Sequence, residues 1–260
     1  GMHTVMPGIV ESHLHLFVGA VERESLMVNH INGFDQLSDS EREHAKKHPK
    51  DNVIGANDED VINVTCTGTC TTALVEKNKV LGGSDDMNCF NLDFAVDGGI
   101  VRSNSARFCP DSGFEISGNG AVLVEKNTSS HTGAEGDEGF EISGSGIKTV
   151  TSNLSQLGGG SGFKISQGAH VLTKNTAKDN GKDGFQIDTD LVMGVVLTGN
   201  VATGNATEGI DSSAAADAVT LTDNTAKNNR KGSDVCSVNA FVDGSGNQFG
   251  SAVTATCIDN

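Results

Sequence analysis

Beyond about residue 55 the chain is written in short runs that alternate apolar and polar residues, and the runs recur. Gly113-Phe114-Glu115-Ile116-Ser117 returns as Gly139-Phe140-Glu141-Ile142-Ser143, as Gly162-Phe163-Lys164-Ile165-Ser166, as Gly184-Phe185-Gln186-Ile187-Asp188, and more faintly as Gly209-Ile210-Asp211. The steps between them are 26, 23, 22 and 25 residues. A second register shares this period: Asn78, Asn104, Asn127, Asn153, Asn175, Asn200 and Asn224, extended by Asn247, mostly follow alternating Val, Leu or Thr. A further Asn stands five residues beyond three of them, at 180, 205 and 229. A fixed period of this size decides architecture before local propensity does.

Each period has room for three strands of three to five residues, too short to bury an apolar face alone, so successive coils must stack at about 4.8 Å and pair their backbones. The predicted fold is all-β: a single-stranded right-handed parallel β-helix of about seven to eight coils over residues 56–260, a cylinder about 35 Å long. A period of two sends Phe and Ile of each Gly-Phe-x-Ile unit inward and the residues between them outward. The glycine is expected at a sharp bend with positive φ. Stacked asparagines are expected to form an inward amide ladder at a turn. Three of the four glycosylation sequons, at Asn127, Asn153 and Asn205 but not Asn63, fall on or beside ladder positions, where an inward amide is closed to glycosylation.

Residues 1–55 read differently and are expected to form an N-terminal cap. Six of the eight His lie there. Ser38-Asp39-Ser40-Glu41 is a capping box, and Pro49 closes the following stretch, which predicts a short helix over 39–48.

The repeat units resemble the right-handed parallel β-helix repeat proteins of the pectin-lyase-like fold, including NosD-like and carbohydrate-binding-and-hydrolysis modules, over about residues 56–260. That resemblance implies action on, or binding of, a polysaccharide or cell-surface glycan. It also implies a closing Cys236–Cys257 disulfide around Gly246-Asn247-Gln248-Phe249-Gly250. Separately, Met6 to Leu16 resembles the first barrel strand of the amidohydrolase superfamily, in which His13 and His15 would bind a divalent metal. That family also needs a (β/α)₈ barrel and further ligands, whereas only His131 and His170 follow the first 48 residues.

Charge and cysteines narrow the class. With 34 acidic against 18 basic residues the formal charge is −16, which argues against nucleic acid as a partner, and no apolar run is long enough to span a bilayer. Six Cys, at 66, 70, 89, 109, 236 and 257, match no compact zinc motif; up to three disulfides in a secreted, periplasmic or cell-surface protein is the expected use.

Candidate chemistry follows from stacking, which turns each outward position into a column along the surface. One column reads Glu115, Glu141, Lys164, Gln186, Asp211; a parallel one carries Ser117, Ser143, Ser166, Asp188 and Ser213; Asp111, Asp137, Glu138, Asp183 and Glu208 precede the bend. Neighbouring carboxylates raise one another's pKa and can act as acid and base on glycosidic bonds. Lys164 among them is a candidate proton-abstracting base or carboxylate clamp. Glu115, Glu141, Lys164, Asp188 and Asp211 are therefore the candidate catalytic set, with Gln186, Asp183 and Glu208 as substrate contacts. Asp111, Asp137 and Glu138 are a candidate Ca²⁺ site. The same columns also serve a solvated face of a non-catalytic structural or adhesive protein. The absence of Trp and Tyr, the usual stacking platforms for sugars, favours that alternative.

Overall fold

A computed structural model describes residues 52–55, 62–66, 73–82, 87–133, 137–188, 194–214, 218–229, 234–237 and 241–250. The predicted cap helix over 39–48, His13, His15 and Cys257 lie outside these residues. Among the described residues there are 25 strands and no helix. They form three parallel sheets, each built from every third strand of the chain. Sheet A runs from Asn52–Gly55 to Gln248–Phe249, sheet B from Ile62–Cys66 to Val235–Ser237, and sheet C from Leu74–Glu76 to Val242–Asp243. The result is the expected right-handed parallel solenoid. Strands of two to five residues exist here only because the coils above and below satisfy their backbone groups.

Sheet B supplies the bulk of the core. Phe90, Phe114, Phe140, Phe163 and Phe185 sit in register and are fully buried. Their rings stack at centroid distances of 4.4, 4.7, 4.8 and 4.9 Å and within 10° of coplanarity, so ring thickness and coil rise are matched. Ile116, Ile142, Ile165 and Ile187 form the second inward column. Sheet C contributes Val101, Val124, Val150, Leu172, Leu197 and Leu221. Sheet A presents smaller residues at its inward position: Ala106, Ser129, Ser155, Ala177, Ala202 and Ala226.

Those small residues explain the glycine before each Phe, and correct its expected role. Gly113, Gly139, Gly162, Gly184 and Gly209 do not have positive φ. A Cβ at Gly162 would lie 2.7 Å from the Ala177 methyl and 2.7 Å from the Gly184 carbonyl oxygen, and the other four are as tightly enclosed. The glycine is needed because sheets A and B converge on it. Left-handed backbone occurs instead one residue before the ladder asparagines, at Lys77, Ser103, Lys126, Ser152, Lys174 and Asp223, with φ between 54° and 58°.

The ladder itself is continuous. Each Asn Oδ1 accepts from both the backbone N–H and the Nδ2 of its counterpart one coil earlier, from Asn78→Asn104 through Asn224→Asn247. Each Nδ2 from Asn104 onward also donates to a carbonyl of the preceding coil, as Asn175 does to Val150 at 2.9 Å. A second ladder joins Asn180, Asn205 and Asn229 and ends on Asp234. Asn127, Asn153 and Asn205 are buried in these ladders as expected, and Asn63 is exposed.

Two polar residues break one apolar inward column of sheet C. Between Val122 and Val195 stand Lys148 and His170, both fully buried. The Lys148 ammonium donates to the carbonyls of Gly118, Gly120 and Gly146 at 2.6, 2.9 and 3.2 Å, and its backbone N–H donates to His170 Nδ1 at 3.1 Å. Burial lowers the Lys148 pKa to about 8. Burial, aided by the neighbouring Lys148 charge, lowers that of His170 to about 4, so the imidazole is neutral at pH 7. A disulfide joins Cys89 to Cys109, and Cys66 is also disulfide-bonded.

The ladder leads to a mutational prediction. Asn175→Ala leaves the buried Asn153 backbone N–H without its acceptor and removes the amide bonds to Asn153 Nδ2, Asn200 Oδ1 and the Val150 carbonyl, although Asn200 Oδ1 keeps the backbone N–H of residue 175, and urea denaturation should report a loss of about 2 kcal/mol. Asn247→Ala, at the open end of the ladder, should cost about 1 kcal/mol.

Candidate functional site

The outward column of sheet B assembles as its alternation implies. Glu115 pairs with Glu141, Glu141 with Lys164, Lys164 with Gln186 and Gln186 with Asp211 in consecutive parallel registers. All five are partly buried. Inward Phe and Ile flank Glu115, Glu141, Lys164 and Gln186, and inward Ile210 and Ser212 flank Asp211, which holds these side chains on a rigid sheet. Two residues along, Asp188 lies beside this column and accepts from Gln186 Nε2 at 3.0 Å on each carboxylate oxygen.

The centre of the face is Lys164. Its ammonium lies 3.5 Å from Glu138 and 3.7 Å from Glu141. The Glu138 side chain is only 5% exposed. It occupies the register position before the glycine, where Ser112 and Ser161 stand in the coils on either side. Burial raises the Glu138 pKa, and the nearby Lys164 only partly opposes this. Burial alone would lower the Lys164 pKa, but Glu138, Glu141 and Asp188 together outweigh it and leave the ammonium raised. The arrangement is a buried carboxyl with a raised pKa, held against a cation that a second carboxylate also faces.

The flanking groups are oriented by their own partners. Asn88 Nδ2 donates to Glu115 at 2.8 Å, and Ser161 Oγ donates to Gln186 Oε1 at 2.7 Å. Asp183 is buried and accepts from the Thr207 hydroxyl and from the Glu208 backbone N–H, the latter at 2.9 Å. Asp183 and Glu208 thus lie on the pre-glycine column, beside the face. Asp211 continues the outward column two coils beyond Lys164.

Asp111, Asp137 and Glu138 are the Ca²⁺ candidates of the sequence. Among the described residues no three His, Cys, Asp or Glu side chains converge to hold a metal. Glu138 is committed to Lys164, and Asp111 precedes Ser112, the residue that matches Glu138 in register. The pre-glycine position of Glu138 is the signal that marks it as a partner of Lys164.

Residues 94–249 match the model of a family described as a right handed beta helix region. No curated protein matches the chain. Among solved structures, the A-module of the mannuronan C-5 epimerase AlgE4 of Azotobacter vinelandii is similar to it, with a TM-score of 0.55 and 16% identity, covering 71% of this chain. The match spans 60% of the epimerase module, and at that identity the likeness is one of fold.

Removing the cation should expose its hold on the buried acid. In Lys164→Met, the Glu138 carboxyl should titrate at higher pH than in the wild type, because the burial that raises it remains and the opposing charge is gone. Carboxyl carbon NMR across a pH series reads this directly.

Proposed function

The chain belongs to the right-handed β-helix family, and from that premise we propose that it binds or modifies a polysaccharide on the outward face of sheet B. The observation that carries the reading is the Glu138–Lys164–Glu141 group, a buried carboxyl with raised pKa in contact with a cation on an otherwise acidic column. A carboxyl whose pKa is raised by burial is suited to donate a proton to a leaving glycosidic oxygen or, once ionised, to abstract one. Lys164 orients it and offers positive charge to a developing anion or to a sugar carboxylate. Glu115, Glu141, Asp188 and Asp211 line the path of the glycan along the column, with Gln186, Asp183 and Glu208 as hydrogen-bonding contacts. Lyase-like and hydrolase-like chemistry both fit this arrangement.

The similarity of fold to a module named for mannuronan epimerisation supports a glycan substrate. The Cys89–Cys109 disulfide supports a place outside the reducing cytosol: secreted, periplasmic or on the cell surface. In the same reading residues 56–260, together with the strand Asn52–Gly55 that pairs with Asn78–Leu81, are the functional solenoid and the residues before them its cap. A structural or adhesive role is the second reading. It is favoured by the fact that Glu115, Glu138, Glu141, Asp183 and Asp188 each already have a partner within the protein.

A polysaccharide panel, incubated with and without Ca²⁺ and read for both unsaturated products and reducing ends, separates lyase, hydrolase and non-enzyme. On the active glycan, Glu138→Gln should lower the rate by about 10²–10⁴-fold, the range for loss of a general acid or base, with the melting temperature preserved. Silence in both channels and no retention on any glycan favours the structural role.

A further inference from the structure

Sheet C carries a surface unlike the other two. In four successive coils its two outward columns read Thr149 and Thr151, Val171 and Thr173, Val196 and Thr198, Thr220 and Thr222. The parallel pairing sets Thr149, Val171, Val196 and Thr220 in one line and Thr151, Thr173, Thr198 and Thr222 in another. All eight residues are β-branched, six of them Thr, and none is charged. At the corresponding outward positions sheet B carries Glu141, Lys164 and Asp211, and sheet A carries Lys178 and Lys227. In a chain with 20% charged residues, a charge-free patch confined to one face of one sheet is a feature in its own right. Charge returns at its borders, with Glu125 one coil before, Asp243 one coil after, and Lys174 and Asp223 at the corner.

The patch is rigid and periodic in two directions. Coils repeat at about 4.8 Å, outward neighbours on one strand stand about 6.6 Å apart, and the four coils span about 14 Å. Inward Val150, Leu172, Leu197 and Leu221 are fully or almost fully buried and anchor every strand from below. Val and Thr have restricted χ1 rotamers, so methyls and hydroxyls are held in fixed rows. The six hydroxyls make no hydrogen bond to another described residue, which leaves each available to water. An uncharged net of this kind complements a surface that is itself uncharged, flat and periodic. Its repeat along the stack is near one lattice repeat of water oxygens on a prism face of ice and its repeat along the strand is somewhat shorter than the other, and its alternation of methyl and hydroxyl suits water that is ordered but still hydrogen-bonded. Crystalline glycan surfaces are the nearest competitor, but such binding draws on flat aromatic rings, and the array has none.

We propose that the Thr/Val array of sheet C, residues 149–151, 171–173, 196–198 and 220–222, is an ice-binding surface, separate from the glycan face on sheet B. The wild-type chain should be taken up into a slowly growing ice hemisphere and should arrest recrystallisation in a frozen sucrose film. The double variant Thr173→Lys/Thr198→Lys, which puts two ammonium groups in the middle of the array, should be excluded from ice and should lose the arrest with an unchanged melting curve. Thr203→Lys, outward on sheet A, should behave as wild type. Exclusion of the wild-type protein from ice overturns the proposal, as does full activity in the double variant or equal loss in Thr203→Lys. Capture of wild type on crystalline cellulose or chitin, lost in the double variant and unaccompanied by ice uptake, would overturn it in favour of a glycan lattice.

Discussion

Strands of three residues have no stability of their own, so the spacing between coils, about 4.8 Å of backbone hydrogen bonding, is the constraint on which every other part of this molecule depends. The asparagine ladder enforces it where the backbone leaves the sheets. Each amide is donor to one coil and acceptor from another, so a coil cannot slip by one residue without stranding buried polar groups on both sides. The phenylalanine column meets the same rise with ring stacking. The glycines meet it at the corner where sheets A and B approach too closely for any side chain.

A stack under this constraint converts a linear period into surface columns, and the three sheets use their columns differently. Sheet B places Glu115, Glu141, Lys164, Gln186 and Asp211 in line and brings the buried Glu138 against the one cation among them. Sheet C presents uncharged β-branched rows over four coils. Each coil contacts only its neighbours, so the two faces can vary independently as long as the inward positions and the ladder are kept.

The parts legible in the sequence were those governed by alternation and by a strict period. Phe and Ile inward, Glu115 to Asp211 outward, and Asn78 to Asn247 at a turn all follow from counting by two or by one coil, and the structure places them so. What could not be counted lies at the corners, where coil length varies between 22 and 26 residues. Asp111 and Glu138 both stand close before a Gly-Phe pair, yet only Glu138 is in the register position that meets Lys164. The pre-Phe glycines looked like positive-φ bends, whereas their need is set by Ser129, Ala177 and other sheet A residues distant in the chain. Lys148 and His170 occupy inward positions that a hydrophobic pattern assigns to Val or Leu; the stacked Gly118, Gly120 and Gly146 carbonyls satisfy the Lys148 ammonium there, and His170 Nδ1 accepts from the Lys148 backbone N–H.

Hydrogen exchange of the folded chain, with and without the oligosaccharide on which it is active or which it retains, tests whether a glycan sits on the outward face of sheet B. New protection is expected in peptides covering 112–117, 137–143, 161–166 and 183–188, with the strands of sheets A and C unchanged. Protection confined to sheet A or sheet C, with none around Lys164, would contradict it.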